Sequence, residues 1–160
     1  MTTTAVRRPV VVLNRDQDVM DERFAIGPRG PNLQPSQQAA ARVGIMRRIA
    51  AAQLRFHGLD VLIDAVQLVV SELVTNAVRH SGAAEGRVIL TTREGCLHIV
   101  VVDGVPGEAS LKPAGATAES GRGLHLVDAI AMEHGGAWGT RAAGAETWCR
   151  LEVPTMEGQS

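Results

Sequence analysis

The stretch Val69-Val70-Ser71-Glu72-Leu73-Val74-Thr75-Asn76-Ala77-Val78-Arg79-His80-Ser81-Gly82 decides how the chain is read. Leu62, Val66, Val69, Leu73 and Ala77 keep the three-and-four spacing of one helix face. Asp60 can cap the start of this helix and Ser81-Gly82 ends it. Glu72, Asn76 and Arg79 stand at i, i+4 and i+7, so they line one stripe about two turns long beside the apolar row. A carboxylate and an amide are costly there unless something polar approaches them. An Asn oxygen can ligate Mg²⁺, a Glu can act as a base or orient a water, and an Arg can meet phosphate. Taken alone, the stripe reads equally as a solvated helix face with His80 capping its end.

Working outward, an earlier helix is expected from residue 37 to about 57, after the breakers Gly27-Pro28-Arg29-Gly30-Pro31 and Pro35 and the capping residue Ser36. Its apolar residues form one row of Val43, Met46, Ala50 and Leu54 and a second of Ile45, Ile49 and Phe56, with Gly58 as the stop. Downstream the period changes to two. Residues 88–93 and 97–102 are β-branched runs joined by Glu94-Gly95, which predicts a tight hairpin with Gly at a positive φ. The second run ends in Asp103-Gly104-Val105-Pro106-Gly107, and residues 108–120 are small and aperiodic, as in a mobile loop. Gly121-Arg122-Gly123-Leu124 then opens a third helix with Leu124, Val127, Ile130 and Ala131 on one face. Gly135-Gly136 closes it, and strands follow at about 137–141 and 146–153. Helices and strands in this order suggest helices covering one face of a mostly antiparallel sheet rather than strict βαβ alternation.

Composition narrows the function. The chain has 160 residues, 16 Lys+Arg against 17 Asp+Glu and a net charge of −1, which fits one domain with a core of its own. No basic run exceeds two residues and aromatic content is 2%, so neither a phosphate-tracking surface nor a base-stacking platform for nucleic acid is expected. Cys96 and Cys149 form no metal or redox spacing and read as isolated thiols. No signal-like segment follows Arg7-Arg8, and polar residues from Asp64 to Asn76 interrupt the longest apolar segment, so a cytoplasmic protein without a membrane span is expected. Residues 1–22, with the β-prone run at 10–13, read as a tail or an edge strand, 23–155 as the single domain and 156–160 as a C-terminal tail. Asp103 at a strand end can accept from an exocyclic amine beside glycines that let a flat ring approach. A Gly-rich helix start can hold an anion, although neither a P-loop nor a Rossmann pattern fits. His57, His98, His125 and His134 share no ligand spacing.

Glu-x-x-x-Asn on a helix, then Asp-x-x-x-Gly after a strand, then Gly-x-Gly-Leu at a helix start, in that order, resembles the GHKL superfamily of ATPases and kinases. Within it, "VVSELVTNAVRHSG", "GRGLHLVDAIA" and "GAETWCRLEV" are similar to the anti-sigma-factor serine-kinase branch. The resemblance covers roughly residues 36–153. It implies the Bergerat (histidine-kinase-like ATPase) fold, a two-layer α/β sandwich with three helices on a mixed, mostly antiparallel sheet, holding ATP and Mg²⁺ under a lid. It implies Glu72 as catalytic base, Asn76 as Mg²⁺ ligand and Arg79 as a phosphate-facing cation. Asp103 would read the adenine amine with Thr147 beside it, and Gly107, Gly121, Arg122, Gly123 and Leu124 would form the nucleotide-binding turn and helix start. Val105 replaces the family's middle glycine, and Lys112 is the only cation in the short lid. The implied partners are a sigma factor or a STAS-type anti-anti-sigma protein, with Ser/Thr phosphotransfer to the latter and room for a homodimer. The alternative is a non-catalytic interaction module that keeps the ATP-binding fold.

Overall fold

Helical period and β-branched alternation separate into two layers in the computed structural model, which describes residues 16–26, 35–80, 83–104, 118–142 and 144–154. Helix α1 (Pro35–Phe56) and helix α2 (Ile63–His80) form a hairpin. The first predicted row of α1 faces the core, with Met46, Ala50 and Leu54 buried and Val43 packed against them. The second row does not. Ile49 is partly packed, but Ile45 is 43% and Phe56 81% exposed, because a row about 100° round the helix points past the sheet.

Asp60 does not cap α2 directly. It opens a 3₁₀ turn, Asp60–Leu62, whose carbonyl accepts from the Ile63 N–H, so its charge lies at the first turn rather than outside it. Within Asp60–His80 an 18-residue window reaches a mean hydropathy of 1.6, long and apolar enough by composition to cross a membrane. Its apolar side is spent on the core: Ala65, Val66, Val69, Val70, Leu73, Val74, Ala77 and Val78 are all buried.

Strands β1 (Gln17–Ala25), β2 (Glu85–Arg93), β3 (Cys96–Val102), β4 (Ala137–Arg141) and β5 (Glu146–Glu152) lie in the order β1-β2-β3-β5-β4. Alternation sends Val88, Leu90, Leu97, Ile99, Val101, Cys149 and Leu151 to the helix side. The expected hairpin joins β2 to β3, with Glu94 at φ 52° and Gly95 at φ 79°, both in the left-handed region that a two-residue connection demands. Every described pairing is antiparallel, not mixed. The reason is topological. Helix α3 (Ala118–Glu133) carries the chain from β3 over to β4, and β5 then returns between those two strands, separating the pair that runs in the same direction.

Three boundaries differ from the sequence reading, the first being β2, which begins at Glu85 rather than at 88. The edge strand β1 forms in the charged stretch, while residues 10–13 lie outside the described residues. It can do so because Val19, Met20, Phe24 and Ile26 are buried, a bulge between Asp18 and Met20 adjusting the register. Helix α3 starts at Ala118, three residues before Gly121. Ala118 and Glu119 are good helix formers, so the helix need not wait for the glycines. Its far end is fixed by a close approach: a Cβ at Gly136 would overlap the Arg150 carbonyl, and the Gly136 N–H donates to Ala131 O at 2.8 Å.

Candidate functional site

The connections of the fold gather most of the expected site at one end of the sheet. Strand β2 begins just after α2 ends, and Arg87 near its start pairs with Val102 at the end of β3. The C-terminal half of α2, carrying Asn76, Arg79 and His80, therefore lies at the end where β3 delivers Asp103. Strand β5 starts at that same end, with Val102 opposite Glu146 and Val101 opposite Thr147. Helix α3 finishes at the other end, where His134 O accepts from the Glu152 N–H at 2.9 Å. At about 1.5 Å per residue, its 16 residues bring its N-terminus back to the Asp103 end.

Each side chain is set by its element. Glu72 and Asn76 are half-buried one turn apart, flanked by the buried residues Leu73 and Ala77. Arg79 and His80 occupy the last turn of α2, where cations complement the helix carbonyl end. Asp103 is half-buried, and its N–H donates to Ala145 O at 2.9 Å, which ties the end of β3 to the start of β5. Thr147 shares a row with the buried Val101 and with Thr140 of β4, so its side chain lies on the helix side of the sheet. That row settles the register around residues 144–148, where sequence alone leaves a one-residue ambiguity.

The pairing of β4 with β5 also brings Thr140 and Ala145 to this sheet end, which spacing in the sequence does not single out. Their only signal is the four-residue connection between β4 and β5, where Ala142 takes φ 57° and Gly144 φ 91°. Leu124 is half-buried against the core in the second turn of α3. Gly121, Arg122 and Gly123 fall inside that helix rather than opening it, so the free N–H groups of its first turn begin at Ala118. Gly107, Val105 and Lys112 lie outside the described residues.

The donor chemistry fits a nucleotide with its counter-ion. One amide oxygen and one carboxylate, a turn apart and half-buried, suit a hard cation that arrives already held by phosphates. A carboxylate at a strand end with a hydroxyl row beside it suits a flat ring bearing an amine. Among the described residues, no three His, Cys, Asp or Glu side chains gather into a metal cage.

Comparison with curated proteins gives no match. The model of the histidine kinase-like ATPase domain matches residues 36–151. That span runs from the start of α1 into β5 and includes every site residue placed above. The chain thus belongs to the histidine kinase-like ATPase domain family, a GHKL-type ATP-binding module.

Proposed function

We propose that the protein binds Mg·ATP at this sheet end in the cytoplasm and uses it to regulate a sigma factor or a STAS-type anti-anti-sigma protein, phosphorylating the latter on Ser or Thr. The observation that supports this reading is the meeting of α2's Glu72–Asn76 stripe with Asp103 and Thr147 at one end of the sheet. Asn76 offers its amide oxygen to Mg²⁺, which supplies neutralisation of phosphate charge when bound. Asp103 accepts from the adenine amine, and Thr147 beside it completes the ring's edge. Glu72 takes the proton from the partner's hydroxyl while that oxygen bonds to the γ-phosphorus and the bond to the β-phosphate oxygen breaks, releasing ADP. Arg79, with Arg122 and the α3 start, supplies cationic and N–H character toward the phosphates.

Two variants test the assignment. Asn76→Ala should weaken Mg·ATP binding in calorimetric titration, because a metal contact is lost. Glu72→Ala should bind nucleotide nearly as well and lose about 10²–10⁴-fold in transfer from labelled ATP. The helix should survive both changes, since Ala is the best helix former. Unchanged binding in Asn76→Ala would remove that residue from the metal. Val105, standing where the family has a glycine, favours a second reading as a non-catalytic module. Nucleotide binding with no label transfer to any sigma or STAS partner would select it.

A further inference from the structure

The sheet has a second face, turned away from the helices, and among the described residues no element packs on it. Its rows follow from the register. Ile89, Val100, Trp148 and Gly139 form one row, and Thr91, His98, Arg150 and Ala137 form the next. Arg93 stands on the same face, diagonal to His98. Three other arginines of this face are paired with acids: Arg87 with Asp21 at 2.6 Å, Arg141 with Glu146 at 3.0 Å and Arg23 with Glu85 at 3.9 Å. Arg93 and Arg150 form no ion pair among the described residues, not even with Glu94 or Glu152 nearby.

One cation of this face sits over a fixed aromatic. A Cβ at Gly139 would meet the Trp148 ring at 3.0–3.3 Å, so the glycine is what lets the ring lie on β4, and the Arg141 guanidinium sits 6.0 Å from its centroid. Trp148 is half-buried between Val100 and Gly139, which leaves a pre-ordered apolar row beside a row that carries Arg150 and the titratable His98. Directly opposed cations on adjacent strands repel each other, as His98 and Arg150 do when the imidazole is charged.

We propose that this outer sheet face, centred on His98, Arg150, Arg93 and Trp148, docks an acidic peptide segment of a partner protein, with apolar side chains of that segment covering Val100 and Trp148. Charge complementarity selects this occupant over the others available. Residues 1–15 of the chain carry Arg7, Arg8 and Arg15 and no acid, so they are repelled. Residues 155–160 offer Glu157 alone. A second copy would bring the same cations with it. The surface lies on the opposite side of the sheet from the helices and from Thr147.

The test uses the full chain and a fluorescein-labelled peptide of about twelve residues alternating Glu and Val, read by anisotropy. The peptide should bind, and its affinity should fall as NaCl rises from about 50 to about 500 mM. R93E/R150E should bind at least about tenfold more weakly and prefer the matching Lys/Val peptide, while its melting shift with Mg·ATP stays that of the parent. No binding, an affinity indifferent to salt, or equal affinity in R93E/R150E would overturn the proposal. So would oligouridylate binding as tightly as the Glu/Val peptide, or a dimer in sedimentation that R93E/R150E abolishes. If R93E/R150E does not fold, the salt titration of the parent chain decides.

Discussion

His98 carries a pH dependence that can be read from its surroundings. Its pKa is lowered from the ordinary 6.5, first by burial, then by the charges of Arg93, Arg150 and Arg141, with Glu94 opposing. The unfolded chain therefore takes up this proton before the folded one as pH falls. The contribution to stability is complete above about pH 6.5 and is lost progressively below it, until the folded-state pKa is passed. Urea midpoints measured at about pH 7.5 and 5.5 should show a smaller drop for His98→Gln than for the parent chain. An identical drop would mean that His98 is not the group responsible. At this scale the sequence was informative about identities and silent about neighbours. Glu72, Asn76 and Asp103 could be singled out by spacing, but Thr140 and the basic cluster around His98 depend on which strand lies beside which, and that is fixed by long-range pairing.

At the scale of elements, two glycines make opposite predictions. Gly136 passes so close to β5 that any Cβ meets backbone, which cannot swing aside, so Gly136→Ala should destabilise by at least about 2 kcal/mol. Gly44 lies inside α1, where the nearest atom to an added Cβ is the end of the Arg48 side chain at 3.6 Å. Gly44→Ala should stabilise by about 0.5–1 kcal/mol, the usual gain from Gly to Ala within a helix. Thermal melts of the two variants check both signs. Elements with a strong period were legible: α2, the β2–β3 hairpin and the β4–β5 pair stand close to where apolar spacing put them. Strand β1 was not, because Asp16, Asp18, Asp21, Glu22 and Arg23 mask the alternation of an edge strand that needs only one apolar face. The start of α3 was missed for a related reason, since Gly-x-Gly is a stronger local signal than the plain helix formers before it.

For the molecule as a whole, β1 is structural rather than ornamental. A chain begun at Ser36 keeps Glu72, Asn76, Asp103 and Thr147 but loses four buried apolar residues, Val19, Met20, Phe24 and Ile26. At about 1.5–3 kcal/mol for each large side chain, the loss rivals the whole net stability of an ordinary domain, about 5–15 kcal/mol. That shortened chain should scatter light and show no cooperative melt. A melt at the parent temperature would show that β1 is dispensable. The pairing of β1 also constrains how the protein can be made. The Gln17 carbonyl meets the Thr92 hydroxyl 75 positions further along. At about 5–20 residues per second, a ribosome needs roughly 4–15 s to supply that partner, during which Met20 and Phe24 have no strand to lie against. The acids that disguise β1 in the sequence keep this waiting segment hydrated until β2 emerges.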